Sequence, residues 1–383
     1  MTPARPRTLS FLAAALTLLA PGPQAAGTPP PAAPASAPAA APAAPTHLRV
    51  VGGLAGLNQY TRHEEPFWSQ ELPRLSGGRL RADIVPFDRA GIRGQDMLRL
   101  VQLGVVPFGT VLLSLSAADE PLIGAPDLAG LNPDAATLRR HATAYRPFLE
   151  KMLRERHGIE LLAVYTYPAQ MLFCKRPVKG LNDLAGRRVR TSSPTQSDWI
   201  EALGGKPVAM PFAELGQALR NGSAECAITG SMSGYTIGLH KQTSHLYTMP
   251  VTWGMSIFAA NAGAWAALPA DLRPALKQEL LRLEQAIWAE SDRETGEGVR
   301  CLTGASAAPG TTAGTTAGAC AGGTGAMRAQ SPTAADEQRR RDILATVTAR
   351  WVKRCGPACA DAWQETLAPL SGIDLRRSAA RQP

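Results

Sequence analysis

Long hydrophobic runs are scarce in this sequence of 383 residues. Charged side chains interrupt every apolar run after the N-terminus, which excludes a polytopic membrane protein. Aromatic residues make up only 5% and charged residues 19% of the chain, whereas the hydrophobic fraction of 45% is ordinary for a folded protein. The absence of a Gly-X-Y period excludes collagen. We therefore expect a mostly soluble, globular chain with two or three domain-sized units.

Catalytic and metal-binding motifs are also missing. The string at 230–234 has Met232 at its centre, so it is not the G-x-S-x-G nucleophile elbow. His240 and His245 lack the spacing of a zinc-binding H-E-x-x-H helix. The formal net charge is +9, yet no zinc-finger spacing or basic stripe interleaved with aromatics indicates nucleic-acid binding. We expect no cofactor, no metal, no nucleic-acid partner and no enzyme activity.

The N-terminus has the layout of a secretory signal. Arg5 and Arg7 precede the apolar run at 9–20, which is shorter than the roughly 20 residues that a spanning helix needs. An uncleaved membrane anchor is the alternative. We expect residues 1–26 to be a signal peptide of the general export pathway to the periplasm, and the Ala/Pro-rich residues 27–46 to be an extended linker.

All six cysteines follow this segment, and an oxidising compartment favours disulfides. Four of them flank irregular segments, which predicts one loop-closing bond in each pair. The predicted pairs are Cys301 with Cys320 and Cys355 with Cys359. Metal binding by the last pair is the alternative, although no second Cys or His pair completes four ligands. Cys174 and Cys226 lie in apolar surroundings, and we interpret them as buried thiols.

Short β-branched segments alternate with helical ones from residue 47 onward. Strand signals at 47–51, 83–87 and 110–114 are separated by helical stretches, and the same order restarts near residue 160. Strands that alternate with helices predict a parallel or mixed sheet with crossover helices. The sequence therefore predicts two α/β units of similar size.

Helical periodicity returns after these two units. Leu276, Leu280, Leu283 and Ile287 recur at helical spacing, which predicts a long amphipathic helix over 271–300 that spans the units. The remaining segments are interpreted as a Gly/Ala/Thr-rich loop at 304–326, a helical extension at 334–375 and a loose tail at 376–383.

Residues 180–230 carry a specific resemblance. They open with GLNDLAGRRVR at 180–190, continue through LGGKPVAMPFAELGQALRNG at 203–222 and close on ECAITG at 225–230. This segment resembles the DctP family, the solute-binding component of tripartite ATP-independent periplasmic (TRAP) transporters, which reads GLxDLKGxKIR and then LGAxPVxMPFxEVYxALQxGxVDG. Shorter signatures upstream extend the resemblance over about residues 47–300.

The resemblance implies an α/β, two-lobed, periplasmic-binding-protein-like fold with a mixed sheet in each lobe and a hinge between them. Lobe I would comprise 47–166 and 252–270, and lobe II would comprise 167–251. The implied function is capture of a small organic acid and its delivery to the small and large TRAP membrane subunits by a monomer. The alternatives are a same-fold receptor for a sensor kinase or chemoreceptor and, from another class, a secreted α/β enzyme.

Arg190 is the leading candidate for ligand binding. It ends a predicted strand, where the clefts of α/β proteins open, and a guanidinium can hold a carboxylate with two parallel hydrogen bonds. Many carboxylate-binding members carry a second arginine where this chain has Gln170, and an asparagine near Thr229. Loss of that arginine, with a hydroxyl run in place of the asparagine, favours a monocarboxylate, or an acid with a neutral polar tail, over a dicarboxylate.

Further polar and aromatic residues complete the predicted lining. A Ser/Thr-Gly run can equally form a strand-to-helix turn, and an aromatic ring near a strand end can equally belong to the core. The candidates are Ser231, Ser233, Trp253, Tyr167 and Tyr165, with Asn58, Gln59, Ser114 and Ser116 as weaker ones.

Overall fold

The computed structural model describes residues 44–305 and 320–375. The predicted signal peptide at 1–26, nearly all of the predicted linker, most of the Gly/Ala/Thr-rich loop and the predicted tail lie outside the described residues. Among the residues described, no helix has both the length and the apolarity that a membrane crossing requires.

Strands and helices alternate along the described chain. The strands are β1 (Thr46–Gly52), β2 (Leu80–Pro86), β3 (Phe108–Leu112), β4 (Ile159–Tyr165), β5 (Gln170–Cys174), β6 (Arg188–Thr191), β7 (Lys206–Ala209), β8 (Cys226–Gly230), β9 (His245–Thr252), β10 (Ser256–Asn261) and β11 (Arg328–Gln330). The α-helices are α1 (Leu72–Leu75), α2 (Met97–Gln102), α3 (Leu113–Ser116), α4 (Ala135–His157), α5 (Pro194–Ala202), α6 (Leu215–Arg220), α7 (Ser231–Thr236), α8 (Ala262–Ala266), α9 (Arg273–Thr303), α10 (Ala334–Cys355), α11 (Pro357–Thr366) and α12 (Ala368–Ser371).

Shorter helical pieces connect these elements. Two π-helical stretches lead into α1, and single 3-10 segments precede or follow several strands. The π-helical stretches are Gln59–Glu64 and Phe67–Glu71, and the 3-10 segments are Gly94–Asp96, Pro121–Asp127, Leu181–Leu184, Phe212–Glu214 and Leu239–Lys241.

The strands form two mixed sheets. The first has the order β2-β1-β3-β10-β4, with β1 parallel to β2 and β3, and β10 antiparallel to β3 and β4. The second has the order β11-β9-β5-β8-β6-β7, with β5 antiparallel to β8 and β9, and β6 parallel to β7 and β8. We call the parts built on the first and second sheets lobe I and lobe II. The predicted α/β class with a mixed sheet in each lobe is confirmed.

Strand burial follows position in the sheet. The central strand β8, with the small or apolar residues Cys-Ala-Ile and then Thr-Gly, is buried at every position because both of its faces are covered. The edge strand β2 instead alternates between buried and more exposed residues, because only one of its faces packs on the core. The central strands therefore fix the core of each lobe, and their ends face the other lobe.

Helix α9 contacts both lobes. The indole nitrogen of Trp288 donates to the carbonyl oxygen of Val164 in β4 at 2.8 Å. On the lobe II side, the hydroxyl of Ser231 donates to the carbonyl oxygens of Glu294 and Thr295 at 3.2 and 3.0 Å. The helix runs to Thr303, slightly beyond the predicted end, and stops where Gly304 adopts a left-handed conformation.

Helix α10 is a second connection between the lobes. The guanidinium of Arg354 pairs with Asp198 of α5, at 2.6 Å between its Nη2 and the carboxylate. Its neighbour Trp351 donates its indole N–H to the carbonyl oxygen of Pro121 at 2.9 Å. Pro121 follows β3 and α3 of lobe I, and Asp198 lies in α5 of lobe II. Helix α10 therefore covers the boundary between the lobes.

The cysteines form disulfides at two predicted pairs and at one that was not predicted. Cys301 pairs with Cys320, and Cys355 pairs with Cys359. The interpretation of the other two as buried thiols was wrong. Cys174 and Cys226 face each other on the antiparallel strands β5 and β8, with their Cα atoms 4.1 Å apart, and this register brings the two sulfur atoms within bonding distance.

Candidate functional site

A cleft of about 450 Å³ lies between the lobes. Lobe I contributes the loop after β1, the segment from Phe87 to Gln95 and the start of α3. Lobe II contributes the ends of β5, β6 and β8 and the segment 211–214. The lining combines many apolar side chains with a few polar ones, which is the composition of a small-molecule site. The apolar lining includes Leu54, Leu57, Phe87, Ile92, Leu112, Leu115 and Phe212.

Arg190 lies in the lobe II wall of the cleft and is only 2% exposed. It is the third residue of β6, which lies between β7 and β8, so its backbone is fixed on both sides. Its Nε donates to the carbonyl oxygen of Met210 at 3.1 Å and its Nη1 to that of Ile228 at 2.8 Å. Both partners are neutral.

No carboxylate in the described part of the chain neutralises Arg190. Burial alone lowers the pKa of its guanidinium to about 10, with no acidic side chain to oppose the effect. The group stays charged at neutral pH, so the cleft wall holds a cation whose charge is uncompensated. Such a group favours an anionic ligand, because a carboxylate supplies the missing countercharge and accepts two hydrogen bonds.

Three more predicted residues lie at the same edge of the lobe II sheet. Gln170 begins β5 and is aligned with Gly230, the last residue of β8, while Thr229 precedes that glycine. The start of an antiparallel strand meets the end of its neighbour, so these side chains approach the end of β6. Gln170, Thr229 and Ser233 of α7 line the cleft together with Arg190.

Tyr167 and Ser114 also lie in the cleft lining. Tyr167 follows the crossing from β4 and is buried, and its pKa is raised well above the ordinary tyrosine value by burial. Ser114 comes from α3 on the lobe I side. Ser114 of lobe I and Thr229 and Ser233 of lobe II give the cleft hydroxyl groups from both lobes, whereas the Tyr167 hydroxyl is buried beside Gly53.

Tyr165 and Trp253 lie outside the lining. The Tyr165 hydroxyl donates to Glu64 Oε1 at 2.5 Å and lies 2.9 Å from the Thr110 hydroxyl, inside lobe I. Burial raises the pKa of Glu64, although the Tyr165, Gly53 and Thr110 donors oppose this shift. Trp253 donates its indole N–H to the carbonyl oxygen of Asn132 at 3.1 Å. Both rings belong to the packing beneath the cleft.

Asn58 and Ser231 face α9 instead of the cleft. The amide of Asn58 donates to Glu294 of that helix. Gln59 joins the same carboxylate at 2.8 Å, and Ser231 bonds the backbone of α9. Ser116 is buried in α3 outside the lining.

The rim of the cleft carries exposed charges of both signs. Arg93 is paired with Asp96 through two hydrogen bonds of 2.9 and 3.0 Å, so its charge is already compensated. Asp88 accepts a hydrogen bond from the amide of Ala55 at 3.1 Å, and Glu214 lies on the opposite side. Solvent screens these exposed groups. Arg190 is therefore the dominant charge inside the cleft.

The sequence interpretation missed two buried side chains behind the cleft. Gln196 in the first turn of α5 and Thr252 at the end of β9 are 1% and 4% exposed, and both contact Gln170. A helix-start signal was available, because Ser193 caps α5 and Pro194 follows it. Nothing in the sequence showed which residue of that first turn faces β5.

Comparison with known proteins identifies the family of this chain. A family model described as bacterial extracellular solute-binding protein, family 7 (DctP), matches residues 58–299. The chain belongs to this family. The members of the DctP family are solute-binding proteins, and the resemblance noted in the sequence is confirmed.

Solved structures with the same fold are receptors as well. DctP7 of Bordetella pertussis, an extracytoplasmic solute receptor binding pyroglutamic acid, is 22% identical, with a TM-score of 0.72 over 86% of this chain and all of that chain. A marine metagenome TRAP solute-binding protein specific for pyroglutamate is 23% identical, with a TM-score of 0.70 over 84% of this chain and 99% of that chain.

A third structure broadens the set of bound acids. A TRAP periplasmic solute-binding protein from Desulfovibrio salexigens with bound orotic acid is 16% identical, with a TM-score of 0.71 over 86% of this chain and 99% of that chain. The TM-scores of these structures show that the DctP-family chain shares their fold.

Proposed function

We propose that the protein is a periplasmic receptor that binds a small monocarboxylate between its lobes and delivers it to the membrane subunits of a TRAP transporter. The observation that carries this proposal is the buried, uncompensated guanidinium of Arg190 in the cleft wall. The ligand carboxylate would pair with Arg190, and the apolar walls would enclose the rest of the molecule.

A single charge favours a monocarboxylate. Within the described lining Arg190 is the one buried cation, and the position where related proteins carry a second arginine holds Gln170, which is neutral. A second ligand carboxylate would lose its hydration without gaining a countercharge, and such a loss is costly in a closed site. Thr229, Ser233 and Ser114 would supply hydroxyl contacts from both lobes.

Several features of the proposal depend on the family. Export by the predicted signal peptide would place the chain in the periplasm, and we propose that it acts there as a monomer and without a cofactor. The described residues hold no group of three or more His, Cys, Asp or Glu side chains that could bind a metal ion. Ligand contacts to both lobes would stabilise a closed form through hinge motion.

The proposal is tested by identifying the acid that the protein captures. The protein is purified from its native host without added ligand, unfolded, and the released small molecules are identified by mass spectrometry. We expect one small monocarboxylate in near-stoichiometric amount. A dicarboxylate would contradict the charge argument. A thermal-shift screen of organic acids gives the second readout, and an absence of stabilisation by every carboxylate would contradict the receptor proposal itself.

A further inference from the structure

The orientation of the Gln170 amide is fixed by a chain of hydrogen bonds that starts at a backbone N–H. The amide nitrogen of Ser192 donates to Gln196 Oε1 at 2.8 Å, and the hydroxyl of Ser192 donates to the same oxygen at 3.2 Å. A backbone N–H can only donate, so the Gln196 atom that faces it must be the carbonyl oxygen. The amide nitrogen of Gln196 therefore points the other way.

That nitrogen meets Gln170 and Thr252. Gln196 Nε2 donates to Gln170 Oε1 at 2.7 Å and to Thr252 Oγ1 at 2.8 Å. Thr252 in turn donates to Gln170 Oε1 at 3.1 Å. An amide nitrogen has no acceptor capacity, so Gln170 has to present its oxygen here. Because Gln196 and Thr252 are both buried, little water competes for these bonds.

The amide nitrogen of Gln170 is left facing the cleft. Gln170 lines the cleft, and no acceptor from the described residues bonds its Nε2. Gly254, whose φ is +66°, supplies the space, since a Cβ atom at this position would lie 2.5 Å from that nitrogen. An amide whose oxygen is held and whose NH₂ is free offers hydrogen-bond donors to a ligand.

We propose that Gln196 is a positioning residue that holds Gln170 as a donor, so that the cleft selects a carboxylate carrying a second, uncharged acceptor such as a carbonyl group. The inference rests on the proposed function, in which Arg190 binds the carboxylate. An acid without the acceptor leaves the Gln170 donor unpaired in a closed cleft, and an unpaired buried donor is costly. Where related proteins carry a second arginine, Gln170 thus offers an uncharged donor that selects for an acceptor oxygen on the ligand.

Two ring acids and two variants test this proposal. 3-Oxocyclopentanecarboxylate and cyclopentanecarboxylate share a five-membered ring and a carboxylate, and they differ only by the carbonyl group. In Gln196→Glu the new carboxylate accepts from Ser192 and has no donor for Gln170, so the Gln170 amide must turn over and present its oxygen to the cleft. Gln196→Met has similar length and leaves the Gln170 amide free to turn.

Calorimetry on the purified full chain measures the ratio of affinities. We expect the original protein to bind 3-oxocyclopentanecarboxylate about three- to tenfold more tightly than cyclopentanecarboxylate. The ratio should fall towards one in Gln196→Met and to one or below in Gln196→Glu. An unchanged ratio in Gln196→Glu would overturn the proposal.

A second readout needs no ligand. Neutron diffraction from deuterated crystals locates the two deuterons on Gln170 Nε2, which should face the cleft in the original protein and position 196 in Gln196→Glu. Deuterons that face Gln196 in the original protein would overturn the inference. If no carboxylate binds at all, the proposed function fails, and the neutron result still decides the role of Gln196.

Discussion

Single residues divide into those that line the cleft and those that support it from behind. Arg190 and Tyr167 line it, whereas Tyr165, only two residues earlier in the chain than Tyr167, belongs to a buried network with Glu64. Sequence reasoning could find Arg190 because its motif is specific and a strand end is a defined place. It could not separate the two tyrosines, because the side that each ring faces depends on packing between β4 and the crossing that follows it.

Tyr165→Phe tests this division at the residue scale. The change removes the donor to Glu64 Oε1 and leaves that buried carboxyl oxygen short of a hydrogen bond. We expect the free energy of unfolding to fall by about 1–3 kcal/mol. Urea denaturation measures the loss.

Ser114→Ala is the matched variant, since it also removes a single hydroxyl and Ser114 lines the cleft. It should weaken binding of a carboxylate ligand more than Tyr165→Phe does. The division of roles would be contradicted if Tyr165→Phe lost more affinity and Ser114→Ala lost more stability.

The large elements of the fold were not equally predictable from the sequence. The amphipathic helix α9 was predicted because its leucines recur at helical spacing. The 23-residue helix α4 was not predicted, although Asp134 caps its start, Gly158 ends it in a left-handed conformation and Pro147 lies inside it. The register of β5 and β8, which decides the third disulfide, also depends on the assembled sheet.

The cross-strand disulfide gives a prediction at this scale. Joining Cys174 and Cys226 closes a separation of 52 residues, so the chain-entropy relation gives a stabilisation of about 4 kcal/mol. The double variant Cys174→Ala with Cys226→Ala should lose stability of that order in denaturant unfolding.

The short disulfide provides its control. Cys355 and Cys359 are separated by four residues, for which the same relation gives about 2 kcal/mol. Replacing this pair by alanine should therefore cost roughly half as much. Equal losses for the two double variants would show that closure of the longer segment is not what stabilises lobe II.

The return crossing between the lobes depends on Asp127. Its carboxylate accepts hydrogen bonds from the backbone amides of Trp253 and Gly254 at 3.0 and 2.9 Å, where the chain passes from β9 to β10. Burial nevertheless raises the pKa of Asp127 from 3.8 to about 7. The folded state therefore retains a proton between about pH 4 and 7 that the unfolded chain has released.

Asp127→Asn should remove this proton linkage. Because the folded state binds the extra proton, the free energy of unfolding of the original protein should fall relative to the variant as pH rises from about 4 to 7. The slopes of the free energy of unfolding against pH should differ between the two proteins by nearly 1.4 kcal/mol per pH unit, which corresponds to about one proton. Denaturant unfolding of both proteins at several pH values measures it, and parallel stability curves would contradict the raised pKa.

At the scale of the whole molecule, two lobes share one cleft and are joined by α9 and covered by α10. The family and the two mixed sheets could be predicted, since short motifs and strand–helix alternation carry them. The position of α10 across the lobe boundary could not, because it depends on contacts such as Arg354 with Asp198, which lie 156 residues apart. The central claim is that the cleft captures a carboxylate through Arg190.

Calorimetric titration of the original protein, Arg190→Met and Arg188→Met with its captured acid tests that claim most directly. Arg188 lies two residues earlier on β6 and is exposed, so it controls for loss of a positive charge from the same strand. We expect unchanged affinity in Arg188→Met and at least a hundredfold loss in Arg190→Met, about 3 kcal/mol or more. Equal affinity of Arg190→Met and the original protein would contradict the claim.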